Sequence, residues 1–329
     1  MKAALCKSLD GPDGLIIEEI GPPTPGPPTP GPGDVLVAVK AAALNFSDTL
    51  ITRGKYQARP ELPFSPAAEF AGVVEAVGDG VVSHAVGDRV MAYIGWGGAR
   101  EQIVVPANAL VAIPDAVSDE IAAGVSVTYG TAIHGLRDRA HLQQGETVAV
   151  LGAAGGAGLA ALEIAKRMGA RVIAVASSAE KLSVCRSRGA DELVNYQDTE
   201  LKGALRNLTG GHGVDVVYDC VGGGSSEAAV RAMAWQGRFL VVGFASGQIP
   251  KIPLNLLLLK GAEAIGVLWP ESVKRDPAGH RRNMARVLRW IAEGNLAPRI
   301  HATFPLDQIR EAIGVLDRRE AVGKVILTM

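Results

Sequence analysis

The chain changes its hydrophobic rhythm once. Between Asp34 and about Pro114, short β-rich runs at residues 35–39, 72–77, 88–92 and 102–105 are separated by turn residues such as Gly78-Asp79-Gly80 and Val86-Gly87-Asp88. Closely spaced short strands of this kind predict a small, barrel-like all-β unit. Residues 120–140 read as helical, and from Thr147 strands and helices alternate. Strands are predicted at 147–151, 171–176, 192–195, 214–219 and 238–243, with helices at 158–168, 179–188, 199–208 and 225–233 between them. That order is the signature of an α/β array, a doubly wound parallel sheet covered by helices.

Two later segments extend the picture. Met284, Val287, Leu288 and Ile291 fall at i, i+3, i+4 and i+7, one face of a helix, while Arg281, Arg282, Arg286 and Arg289 occupy the rest as a solvated face. The last β-rich run, 324–328, is placed to return to the first domain. Residues 21–33 write a Pro-Pro-Thr-Pro-Gly unit twice, with no core-forming side chain, and predict an exposed polyproline-like loop.

Composition narrows the class. The 329 residues are too many for one small core, and 48% hydrophobic with 20% charged residues is globular. A formal net charge of −1 lacks the basic surplus of a nucleic-acid binder. The most apolar short run, 254–259, is interrupted by Asn255 and nothing approaches the length needed to span a bilayer, and the N-terminus has no signal or transit pattern. Cys6, Cys185 and Cys220 are isolated in sequence, which argues against a disulfide framework and suits a reducing cytoplasm.

The sharpest local signal is Val148-Ala149-Val150-Leu151-Gly152-Ala153-Ala154-Gly155-Gly156-Ala157-Gly158, a buried strand entering a glycine-rich turn that opens a helix. Small residues let the backbone approach a pyrophosphate, whose charge meets free amides at the positive helix end. The expected cradle is Ala153, Gly155, Gly156, Ala157 and Gly158. An NAD site places an acid at the end of the second strand, where this chain has Ala176. Ser177, Ser178 and Lys181 follow and suit a 2′-phosphate, so NADPH is the expected cofactor. Glu180 is the counter-signal, expected to point outward from the next helix, and Lys181 can also be read as one more solvated helix lysine.

Further motifs carry a resemblance. Ala43-Leu44-Asn45-Phe46-Ser47-Asp48 with Arg53-Gly54-Lys55-Tyr56, Pro63-Phe64-Ser65-Pro66-Ala67-Ala68-Glu69-Phe70-Ala71-Gly72 and Val86-Gly87-Asp88-Arg89-Val90 resemble the medium-chain dehydrogenase/reductase superfamily. The turn 152–158, Val127-Thr128-Tyr129-Gly130-Thr131-Ala132 and Asn195-Tyr196 are similar to its quinone oxidoreductase branch. The resemblance covers essentially the whole chain. It implies a Rossmann domain at 123–266 inserted into a GroES-like β-rich catalytic domain at 1–122 and 267–329.

Zinc alcohol dehydrogenases of that superfamily carry a Cys where this chain has Asn45 and a His where it has Ala68; Glu69 alone cannot hold a catalytic zinc, and residues 93–110 lack the four cysteines of a structural one. Without a Lewis acid the acceptor must already be electron-poor, as quinones and conjugated enones are. The resemblance puts Asn45 and Tyr56 in the substrate pocket and Thr128 at the nicotinamide. Tyr56 is either a proton donor or a rim aromatic, and Leu50, a tyrosine in some members, makes the pocket more apolar. It also places Lys181, Tyr196 and Arg319 around the 2′-phosphate, with Arg318 an alternative to Arg319, and Gly243 and Phe244 complete the cofactor set. Cys220 reads as packing, since Asp219 opposes a thiolate.

The alternatives are an enoyl or acrylyl thioester reductase, with Lys251 or Arg275 at the mouth for a CoA, and a non-catalytic NADPH-binding protein of the crystallin or RNA-binding kind. An apolar edge strand at 265–269 predicts a homodimer.

Overall fold

The computed structural model describes residues 1–21 and 30–329. Most of the duplicated proline unit lies outside the described residues. The chain forms two compact units, one of Met1–Val127 with Val273–Met329 and one of Thr128–Ser272.

The first unit contains β1 (Lys2–Cys6), β2 (Leu15–Glu19), β3 (Asp34–Leu44), α1 (Phe46–Ile51), β4 (Glu69–Val77), β5 (Arg89–Tyr93), β6 (Gln102–Pro106), β7 (Leu110–Ala112) and α2 (Asp119–Ala123). Helix α3 (Ser126–Ile133) carries the chain onward. The second unit runs β8 (Thr147–Leu151), α4 (Gly156–Arg167), β9 (Arg171–Ala176), α5 (Ala179–Ser187), β10 (Glu192–Asn195), α6 (Leu201–Leu208), β11 (Val214–Asp219), α7 (Gly224–Arg231), β12 (Met233–Val241), α8 (Asn255–Leu258), β13 (Glu263–Gly266) and α9 (Trp269–Arg275). The chain ends with α10 (Pro277–Ala292), β14 (Ile300–Pro305), α11 (Ile309–Asp317) and β15 (Lys324–Thr328) in the first unit.

In the first unit the strand order is β14-β15-β3-β4-β5-β7, with β6 also on β3. Strand β15 pairs antiparallel with β3, Val325 opposite Leu44, so the last run does return to the first unit. Alternation along β6 buries Ile103 and Val105, and these join Val35, Val37, Phe70 and Val90 in one core. That core holds the chain at Asn45 and Glu69, where β3 ends and β4 begins.

In the second unit the order is β10-β9-β8-β11-β12-β13, every pair parallel. This is the Rossmann order, with the switch point between β8 and β11. Strands covered on both faces read as continuous apolar runs, and Val148, Ala149, Val150 and Leu151 are all buried.

Several elements differ from expectation. The helical stretch 120–140 is α2, α3 and a π-helical turn at His134–Arg139, because Gly124 caps α2. Met233 belongs to β12 and not to the preceding helix; it pairs with Val214 across a bulge. The edge strand stops at Gly266, and Trp269 instead opens α9, buried, with its ring where a Cβ at Gly130 would lie. A bulky ring with somewhere to pack leaves the exposed edge.

Candidate functional site

The glycine-rich turn forms as its composition requires. Gly152 adopts φ +70°, a conformation costly for residues with a Cβ. A Cβ at Gly158 would stand 2.2 Å from the Gly152 carbonyl oxygen and 2.7 Å from Ala153 Cα, so helix and turn touch backbone to backbone. Gly155 is the N-cap of α4 and has no side chain to cover the helix end. Its own amide donates to Gly152 O, and the first rung of the helix is Leu159 N–H to Gly155 O. The amides of Gly156, Ala157 and Gly158 precede that rung and point outward from the positive end of a twelve-residue helix. Turn, amides and dipole fit a dinucleotide pyrophosphate.

The end of β9 lies beside it. Tyr196 N–H donates to Ala176 O, which brings Tyr196 to the strand end, and Ser178 caps α5 by accepting from Lys181 N–H at 3.3 Å. Ala176, Ser177, Ser178, Lys181 and Tyr196 thus share one corner of the second unit. Glu180 is exposed, as its place in α5 suggests, yet its carboxylate accepts a hydrogen bond from Ser178 that lowers its pKa. The first-turn position draws that carboxylate to the cap hydroxyl and the helix end. Arg319 lies in the other unit, just past α11, with φ +58°, and its neighbour Arg318 is paired with Glu320 at 2.9 Å.

At the end of β11, Asp219 organises the next loop. Its carboxylate accepts from the amides of Val221 and Gly222 and from Ser226 Oγ at 2.5 Å, and its carbonyl accepts from the amides of Val242 and Gly243. A Cβ at Gly222 would press on Phe244, so Gly243 and Phe244 line this loop. Burial and the Asp219 charge push the Cys220 thiol far above its usual range, which fits a packing role. Thr128 is buried at the start of this unit, and the adjacent Tyr129 hydroxyl donates to Glu163 of α4 at 2.6 Å.

In the first unit, Asn45 sits at the N-cap of α1, but its side chain is engaged elsewhere. Lys324 Nζ donates to Asn45 Oδ1 at 2.6 Å, to Glu69 Oε1 at 2.9 Å and to Leu44 O at 3.1 Å. Asn45 Nδ2 donates to Glu69 Oε1 at 3.0 Å, and Glu69 Oε2 accepts from Val127 N–H at 2.9 Å. Asn45, Glu69 and Lys324 are 8%, 0% and 6% exposed. Asp48 takes over the capping, accepting from Asn45 N–H at 2.7 Å and from Ala67 N–H at 2.9 Å. Ala67 adopts φ +66°, a strained conformation held by that bond. Burial pushes the Asp48 carboxyl up to about 6. Burial and then the Asp48 charge raise Tyr56, half-buried against this core, and Tyr93 is raised further with Tyr56 among the causes.

Asn45 and Tyr56 therefore share the first unit, and Thr128 and the phosphate corner the second. Sequence reasoning missed Lys324, Asp48 and the Asp219–Ser226 pair. The signal for Lys324 was a lysine opening an otherwise apolar strand. Among the described residues no three His, Cys, Asp or Glu side chains gather as a metal site. A catalytic zinc does not fit here either: Asn45 is committed, Ala68 carries no donor, and the Lys324 ammonium already stands on Glu69.

Comparison with known proteins places this geometry. Residues 31–115 match the alcohol dehydrogenase GroES-like domain and residues 156–293 the zinc-binding dehydrogenase domain. Quinone oxidoreductase-like protein 2 of Rattus norvegicus is 40% identical over 329 residues, all of this chain and 92% of the rat protein. The structure of a probable oxidoreductase from Mycobacterium abscessus is 37% identical with a TM-score of 0.87, covering 100% of this chain and 99% of its own. The Escherichia coli quinone oxidoreductase complexed with NADPH is 27% identical with a TM-score of 0.89, covering both chains fully. The chain is an oxidoreductase that belongs to the quinone oxidoreductase-like branch of the medium-chain dehydrogenase/reductase superfamily.

Proposed function

We propose that this chain is an NADPH-dependent reductase that transfers hydride to quinones or related conjugated carbonyl acceptors without a catalytic metal. The observation that carries the reading is the Asn45–Glu69–Lys324 cluster, in which the buried Lys324 ammonium neutralises Glu69 and holds the Asn45 carboxamide. NADPH supplies the hydride. Asn45 Nδ2 retains one proton beyond the one given to Glu69, a donor for an oxygen that gains negative charge. Tyr56, with its pKa raised, stays a neutral phenol that can donate. Such donors suffice for an acceptor that delocalises charge and fall short for an isolated ketone. The corner at Ala176, with Ser177, Ser178 and Lys181 in place of an acid, supports NADPH over NADH. So does the NADPH complex of the Escherichia coli relative. Cys6, Cys185 and Cys220 are free thiols, which suits a reducing cytoplasm, and among the described residues no helix is long and apolar enough to cross a membrane.

The test is NADPH oxidation with 1,4-benzoquinone, 9,10-phenanthrenequinone, a simple enone and crotonyl-CoA, before and after prolonged EDTA dialysis. Quinone turnover that survives dialysis is the expected result. Turnover of crotonyl-CoA alone would make the chain a thioester reductase, and NADPH binding without any turnover would make it a binding protein. Tightly bound zinc lost together with activity would overturn the metal-free mechanism.

A further inference from the structure

Asn45 is held by two partners of opposite chemistry. An ammonium can only donate and a carboxylate can only accept. Lys324 on Oδ1 and Glu69 on Nδ2 therefore admit one orientation of the carboxamide. A flipped amide would set NH₂ against the ammonium and oxygen against the carboxylate. Neither partner can turn away. The three bonds of Lys324 use all three ammonium protons, and Glu69 Oε2 is tied to the Val127 amide. The lysine stem has its own passage: a Cβ at Gly124 would crowd Lys324 Cγ and Cε at 3.3 Å. The cluster is buried, so the ion pair keeps its strength.

We infer that Lys324 is a positioning residue, which with Glu69 locks the Asn45 carboxamide so that its second Nδ2 proton is presented to the acceptor oxygen. The inference rests on Asn45 being the acceptor-binding donor proposed above. The ammonium on the carbonyl end draws electron density from the amide and makes the opposite N–H a stronger donor.

The experiment compares wild type with Lys324→Met and with the charge-neutral pair Lys324→Met/Glu69→Gln. The single variant leaves a lone buried carboxylate and should melt well below wild type. The double variant should regain most of that Tm, because no unpaired charge remains. Its Asn45 amide can then pair with the introduced glutamine side chain either way round. At a temperature where it is fully folded, its kcat for quinone should fall by about tenfold, with the Kd for NADPH changed by less than about twofold. Side-chain ¹H–¹⁵N resonances of Asn45, assigned with Asn45→Asp, give a readout independent of turnover. One sharp pair is expected in wild type, and two pairs or exchange broadening in the double variant. Wild-type kcat in the double variant would overturn the inference. If wild type reduces none of the acceptors, the functional reading falls, and the amide spectrum alone decides the positioning claim. An Asn45 pair unchanged by the double substitution then overturns it.

Discussion

Asp48 and His280 are titrated by burial in opposite senses. The Asp48 carboxyl, pushed up to about 6, holds its proton in the folded chain where the unfolded chain has lost it. Its contribution to stability is full below about pH 4 and is lost as pH rises through 6. His280 on α10 is pushed down to about 4, by burial first and the Arg281 charge second. It stays neutral where the unfolded chain is protonated, so stability is lost as pH falls from about 6.5 to 4. Each effect is of order 3 kcal/mol at full extent, and the two oppose each other. Urea unfolding at pH 4.5 and 7 separates them. Relative to wild type, Asp48→Asn should improve with rising pH and His280→Leu with falling pH. Curves parallel to wild type would show that neither residue titrates as burial dictates. The phosphate corner gives a second prediction at this scale. A 2′-phosphate contact from Lys181, with Ser177 and Ser178 beside it, should favour NADPH over NADH by about tenfold in kcat/KM. Ala176→Asp should reverse the preference, and Glu180→Gln should lower the KM for NADPH a few-fold by removing the carboxylate bonded to Ser178. Equal use of both cofactors by wild type would refute this reading of the strand end.

The strand and helix sequence of the second unit was legible because parallel strands buried on both faces are written as apolar runs ended by glycine. The β8 turn shows why. Only glycine fits at position 158, because Gly152 O and Ala153 Cα leave no room for a Cβ. Gly158→Ala should destabilise by about 2 kcal/mol and weaken cofactor binding, both readable by thermal melting with and without NADPH. A variant with unchanged Tm and cofactor response would mean the turn has slack that the backbone contact denies. Other features were not legible, since they depend on elements distant in sequence. Lys324 is 279 positions from Asn45, and no periodicity announces that pair. Asp48 reads as an ordinary first-turn acid until Ala67, 19 residues on, donates to it. The extension of β12 back to Met233 arises from pairing with Val214, a tertiary preference stronger than the local helical pattern.

The second unit carries a face that a single chain does not cover. Strand β13 is the last of its sheet, and the residues beside it are apolar and exposed: Trp235, Leu254, Leu258 and Leu259. Gln236 N–H donates to Lys260 O, and the Trp235 ring stands 3.3 Å from where a Cβ at Gly261 would be, so these residues form one patch. An open strand edge next to a contiguous apolar patch favours pairing with another chain, and a two-fold axis lets the same edge serve both copies. The shorter strand, ending at Gly266, moves the centre of that interface from Trp269, which is buried, toward Glu263–Gly266 and α8. The expected species in solution is therefore a homodimer, twice the chain mass of 34.2 kDa, stable at micromolar concentration. Leu258→Lys with Trp235→Lys should place four charges across the axis and shift light scattering to the monomer without unfolding the sheet. A wild-type chain that scatters as a monomer would remove the interface altogether. A double variant that stays dimeric would move the interface to another face.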